Sequence, residues 1–348
     1  MASLRVLNLS RNNLSGIVPQ CLSKVSKSLS VLNLHVNNFH GPIPQAWMSG
    51  NKLKMINLGQ NKLKGELPRS MVMCRMLEFL DIGNNQIRDT WPFWLGSLPE
   101  LKILILRSNR FHGEIKSGEF DSVFPNLRVI DVSNNGFTGL LPSSYLESWT
   151  AMKRFHVEHL SYMQSNLYDH MFMAGLTIPD EYNYSMTMTN KGIKMEYTKI
   201  LEVFMAIDLS CNEFRGEIPV SVGNLKGLQL LNLLLLNNLL VGQIPSVIGN
   251  LTSLEALDLS HNQFAGRIPW QLRQLNFLEV FNVSYNNLNG PIPQGRQFDT
   301  FLNTSFDGNL GLCGNPLSKK CEELGSSPPP FLQPLKEIKA LNRNGEGF

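Results

Sequence analysis

"LDLSHNQFAGRIP" (residues 257–269) is one copy of a phrase that recurs along this 348-residue chain. Other copies read "LNLHVNNFHGPIP", "INLGQNKLKGELP", "IDVSNNGFTGLLP", "IDLSCNEFRGEIP" and "FNVSYNNLNGPIP". Each copy can be marked by its fixed asparagine, found at positions 12, 37, 61, 85, 109, 135, 212, 238, 262 and 286. Successive markers lie 24 to 26 residues apart, except for one jump of 77 between 135 and 212. Self-similarity at such a period marks stacked units, each too small to bury its own apolar face.

Each residue type in the phrase has a physical task. Leu257 and Leu259 point one side of a short strand into the core, and the residues between them face outward on a concave surface. The asparagine is buried where the strand ends, and its amide must find partners on neighbouring backbone. Gly266 suits a tight bend with positive φ. The Ile-Pro that follows sends an apolar side chain inward and prevents a long helix on the convex side. The fold expected is a leucine-rich-repeat solenoid with short parallel strands on its concave face. Leucines and asparagines are then scaffold, and recognition falls to outward concave residues and to departures from the pattern.

The largest departure is the jump of 77, which adds about 53 residues to a 24-residue period. They are placed at 151–203, between six repeats at 1–150 and four at 204–298. Near their end stands "YSMTMTNKGIKMEY" (residues 184–197), which alternates apolar and polar residues on both sides of Asn190-Lys191-Gly192. It reads as a β-hairpin with a three-residue bulged loop, docked through an apolar face that includes Tyr184. A smaller departure is "LNLLLLNNLLVG", where two extra residues near Leu234 and Leu235 are expected to bulge from the strand phrase onto the concave wall.

Composition excludes several classes. Hydrophobic residues make up 43% and charged residues 17%, enough for a core and too little charge for a disordered chain. The net charge of +3 is spread without a basic block, which gives no footprint for nucleic acid or a membrane surface. No apolar run reaches membrane-spanning length, and no signal peptide opens the sequence. Kinase and hydrolase motifs are absent, so neither enzyme chemistry nor a cofactor is expected. "HVEH" (residues 156–159) offers two histidines around a carboxylate, but no third ligand accompanies them, and a polar surface is the expectation.

Cys313 and Cys321 lie eight apart after the last repeat, in a segment read as a C-terminal cap at 299–321. A disulfide between them is expected, and with it an oxidising compartment. Pairing of Cys21, Cys74 and Cys211 is left open. Residues 322–348 read as a disordered tail. Among six N-x-S/T sequons, Asn183, Asn250 and Asn303 are the candidate glycan sites.

Several features go together in one known family. The G-x-I-P repeat is similar to the plant type; Asp89 replaces the repeat glycine and is followed by Trp91-Pro92-Phe93-Trp94-Leu95. "SWTAM" (residues 148–152) sits at the break and "GNLGLCGNPLSKKC" (residues 308–321) at the end. In this order they resemble the ectodomains of plant receptor-like proteins, kinase-less cell-surface immune receptors of the tomato leaf-mould resistance type. The resemblance covers roughly residues 1–325 and implies the C-terminal part of such an ectodomain. It implies attachment at the outer face of the plasma membrane through a transmembrane segment missing from this chain, which is read as a truncated product or an incomplete gene model. It names the insert an island and gives it, with the last repeats, an extracellular protein or peptide ligand and a co-receptor kinase ectodomain as partners.

From the repeat register, the outward residues after the island include Asp208, Glu255, Asp258, His261, Glu279 and Tyr285. With Tyr184, Lys191 and Gly192 of the hairpin, they form the expected partner surface. Lys191 is expected at the tip, presented to the partner. A secreted inhibitor resembling plant polygalacturonase inhibitors is the alternative, against which the island argues. A developmental peptide receptor of the same architecture is another.

Overall fold

The computed structural model describes residues 4–25, 28–116, 124–154, 161–166, 181–233 and 238–321. Ten three-residue strands, from Val6–Asn8 to Val280–Asn282, form one parallel sheet. The sheet crosses the long insertion without a gap, because Val129, Ile130 and Asp131 lie opposite Ala206, Ile207 and Asp208. The middle residue of each strand, such as Leu80, Leu104 and Ile130, enters one core that runs the length of the solenoid.

The marker asparagines stitch the units together. Asn109 Nδ2 donates to the carbonyl of Leu106 in its own repeat and of Ile82 in the one before, each at 3.0 Å. Its Oδ1 accepts from the Ile87 N–H, also at 3.0 Å. Each such bond contributes about 0.5–1.5 kcal/mol net, and an unmet one costs more. On the convex side, Pro68, Pro219 and Pro245 are followed by 3-10 helices at Arg69–Met73, Val220–Asn224 and Ser246–Asn250.

A second set of short strands runs beside the first and is split into a four-stranded and a seven-stranded sheet. The split follows Gln86–Ile87, in the repeat where Asp89 stands in place of glycine. The Asp89 carboxylate accepts from the N–H groups of Leu67 (3.0 Å) and Thr90 (2.7 Å). Just beyond, Trp91 Nε1 donates to the Tyr145 hydroxyl at 2.8 Å, and that hydroxyl donates to the Lys116 carbonyl at 3.0 Å. Phe124 and Phe137 pack against the same indole, forming an aromatic cluster within the solenoid core ahead of the insertion.

The expected bulge in "LNLLLLNNLLVG" lies outside the described residues, at 234–237. Leu230–Asn232 keeps register with both neighbouring strands, and Asn238 Oδ1 accepts from the Phe214 N–H at 2.9 Å. One repeat later, Asn262 Oδ1 has no hydrogen-bond partner among the described residues, although the same atom of Asn286 accepts from Phe264 N–H.

At the C-terminal end, Phe281 packs with Phe298, Phe301 and Phe306. The strand Gly311–Cys313 joins the lateral sheet, and Cys313 is bonded to Cys321. Cys21, Cys74 and Cys211 are free thiols. Residues 156–159 and 322–348 fall outside the described residues. Among the described residues, no helix is long and apolar enough to cross a membrane.

Candidate recognition surface

The outward residue that opens each concave strand is apolar: Val6, Val31, Met55, Phe79, Ile103, Val129, Ala206, Leu230, Ala256 and Val280. Stacked in register, these side chains form an apolar column of a size that does not stay in water. The insertion covers it. Met163, Tyr184, Met186, Met188 and Ile200 join the column in a second core, separate from that of the solenoid. The Tyr184 ring lies 5.6 Å from that of Phe79 and is fully buried. Tyr184 therefore holds the island to the wall and is not available to a partner, which corrects its place in the expected surface.

The hairpin is formed by Met186–Asn190 and Ile193–Tyr197, paired antiparallel. Its loop is shorter than the sequence suggested. Asn190 lies opposite Ile193 and belongs to the ladder, leaving only Lys191 (φ 54°) and Gly192 (φ 74°) in the turn. Two consecutive left-handed residues make the type I′ turn, whose twist matches that of the strands it joins. Docking is also one-sided. Met186 and Met188 are 3% and 0% exposed, whereas Ile193 and Met195 on the partner strand are 66% and 41% exposed. The apolar face is fully buried on the first strand, and on the second only Tyr197, half-buried, packs against that core.

Polar tethers fix the island at several places. The Tyr182 hydroxyl accepts from Asn8 Nδ2 (3.0 Å) and Asn33 Nδ2 (2.9 Å) in the first two repeats. Arg11 pairs with Glu196. Midway, Lys102 Nζ lies 3.0 Å from both Glu78 and Glu202, and Arg128 donates to the Glu202 carbonyl at 2.7 Å. Burial alone would lower the Lys102 pKa, but the two carboxylates outweigh it and raise the net value. In the last repeats, Lys191 Nζ lies 2.5 Å from Glu279 and 3.6 Å from Glu255. Its hydrogen bond to Glu279 raises the lysine pKa. Lys191 sits at the hairpin tip as expected, yet the solenoid holds it.

Two residues along each strand, on the same outward face, stand Asp81, Asp131 and Asp208. Burial pushes the pKa of Asp81 and Asp208 to about 7 and that of Asp131 upward as well. Asp208 is 1% exposed and accepts from the Ser210 N–H (3.0 Å) and Asn232 Nδ2 (3.2 Å). Its expected place on the partner surface is therefore corrected too. Asp258, half-buried, accepts from Ser260 and Asn282. His261 and Tyr285 stack with ring centroids 4.4 Å apart, and the tyrosine stays 55% exposed. Glu255 and Glu279 thus lie next to the hairpin tip, and the stacked pair lies on the surface of the same repeats. Asn250 and Asn303 are exposed at or in 3-10 helices, and Asn183 is half-buried in the island strand Glu181–Asn183.

The leucine rich repeat family profile matches residues 27–87, and a related one matches 3–25, 126–146 and 253–275. Receptor-like protein 35 of Arabidopsis thaliana is 43% identical over 232 residues, which is 66% of this chain and 23% of that protein. Receptor-like protein 53 of the same plant is 44% identical over 145 residues, or 40% of this chain and 13% of that protein. The chain thus spans less than a quarter of the length of these relatives. Among solved structures, PEPR1–AtPEP1 superposes with a TM-score of 0.61 at 27% identity, covering 83% of this chain and 32% of that one. The Arabidopsis receptor kinase HAESA ectodomain, in complex with an IDA peptide hormone, gives 0.53 at 28%, covering 92% and 52%. The chain is a plant-type leucine-rich-repeat solenoid whose close homologues are receptor-like proteins of Arabidopsis thaliana.

Proposed function

We propose that this chain is part of the ectodomain of a plant receptor-like protein, on the outer face of the plasma membrane. In this reading it is a recognition protein without enzymatic activity. It binds an extracellular protein or peptide ligand and a co-receptor kinase ectodomain in defence signalling. The observation that carries the reading is the contact of Lys191 with Glu255 and Glu279, which joins the island and the last repeats into one surface. In the same repeats, Tyr285 presents an exposed ring stacked on His261. Aromatic side chains held in place are what protein interfaces use as energetic centres. Asp258, Glu255 and Glu279 of the same repeats supply hydrogen-bonding specificity.

The test is capture of this chain by a co-receptor kinase ectodomain of the somatic-embryogenesis-receptor type. Tyr285→Ala with His261→Ala, and separately Asp258→Lys with Glu279→Lys, should reduce capture at least tenfold while secretion is unchanged. Undiminished capture by both pairs would overturn the assignment.

A further inference from the structure

Asp131 and Asp208 are direct partners on adjacent parallel strands, so their backbones lie about 4.8 Å apart with both carboxyl groups on the concave face. Both are buried, and Asp81 lies two strands away on the same face, also buried. Among the described residues, one cation serves this group. Arg107 Nη1 is 3.9 Å from Asp131 Oδ2, an oxygen with no hydrogen-bond partner among those residues. The remaining groups around the pair are neutral: Ser133, Ser210 and Asn232. The buried apolar residues that the island brings to this sheet are Met163, Tyr184, Met186, Met188 and Ile200. Of the described island lysines, Lys191 pairs with Glu255 and Glu279, Lys199 lies over the Tyr162 ring, and Lys153 donates to the Glu147 carbonyl.

Two carboxylates this close, in a site closed to water and sharing part of one guanidinium, cannot both stay ionised at low cost. We propose that Asp131 and Asp208 form a proton-operated latch beneath the island: closing the island over the concave face takes up one proton, shared by the pair. Acid then tightens the island and alkali loosens it.

The sign follows from linkage. A carboxyl group that titrates near 4 when the wall is open, and about 7 when covered, binds an extra proton in the closed state across that interval. The stabilisation is complete below about 4 and is lost as the pH rises through about 7. His35, on the same wall near Arg11, Arg107 and Glu196, works in the opposite sense, because burial lowers its pKa and acid makes it costly to cover. A comparison of wild type with a variant at the pair cancels that contribution.

Hydrogen–deuterium exchange of the full chain, read at hairpin amides 186–197 and divided by intrinsic exchange rates, tests the latch. Wild-type protection should fall roughly tenfold or more between pH 5.5 and 7.5. Asp208→Asn and Asp131→Asn, which keep shape and remove the titration, should each flatten that fall measurably, the remainder belonging to Asp81, which burial also pushes to about 7. Asp258→Asn, at the same strand position two strands further on, should leave it unchanged. Equal wild-type protection at the two pH values, or an undiminished fall in both Asp131→Asn and Asp208→Asn, would overturn the proposal. Neither result depends on a ligand or co-receptor, so the receptor reading stands or fails separately.

Discussion

Asp208 and Asp258 occupy the same place in two nearly identical phrases, "IDLSCN" and "LDLSHN", yet meet different surroundings. Both point outward from the concave sheet and both cap the serine two residues on. Asp208 is buried together with the wall beside Asp131, whereas Asp258 keeps part of its surface in water next to His261 and Tyr285. The phrase decides which way a side chain points. Whether that direction leads to solvent depends on a segment inserted elsewhere in the chain. The concave face is thus two surfaces, a second core under the island and an open end beyond it.

The most disruptive way to break this division is to remove an island side chain from the second core. Tyr184→Ala should cost about 3–5 kcal/mol of island docking, the range for deleting a buried aromatic ring. Exchange should rise sharply in residues 186–197, while the Leu63 and Phe264 amides, held by marker asparagines of the solenoid, stay protected. Loss of protection in both places would mean that island and solenoid fold as one unit.

Next in size is the contrast between the two aspartates. Asp208→Lys places a cation in a closed site and should cost about 3–5 kcal/mol, or drive the island off the wall. Asp258→Lys, at the open end, should change stability by less than about 1 kcal/mol. Denaturant midpoints of the two variants measure the difference directly, and equal values would erase the boundary between the two surfaces.

Gly192→Val probes the turn. No atom lies within 4 Å of where a β-carbon would sit, so the penalty comes only from holding a branched residue at φ 74°. It should be about 1–2 kcal/mol, and Gly192→Asn, a residue that tolerates this region, should recover most of it. The smallest effect is expected from Lys191→Glu. It breaks pairs with Glu255 and Glu279 near solvent, and removes about 0.5–1 kcal/mol that high salt should remove as well. Hairpin exchange measured in low and high salt would check both the size and the screening.

Much of the solenoid was legible because each residue in the phrase answers a local demand. The asparagine must satisfy a buried amide, and the structure gives Asn109 the backbone partners that this requires. The hairpin was legible from alternation alone, but its loop length was not. Asn190 suits a turn as readily as a ladder, and only pairing with Ile193 separates the two. The tethers from Tyr182 and Glu202 join positions more than seventy residues apart, and no local pattern reveals them. One further signal lies in the repeats themselves. The first outward residue of all ten concave strands is apolar, from Val6 to Val280, and a wall built to face water would not be so uniform. That column was the trace of the island in the sequence of the repeats.

The claim that the island's first hairpin strand is docked on that column can be tested at its methionines. Dose-limited oxidation of the native chain, with sulfoxide mapped by mass spectrometry, should modify Met195 as readily as the exposed Met48 and Met73. Met186 and Met188, its neighbours in the same hairpin, should stay protected along with Met55 on the wall beneath them. Oxidation of Met186 and Met188 at the rate of Met195 would contradict the account, for it would mean that the concave face is open along its whole length.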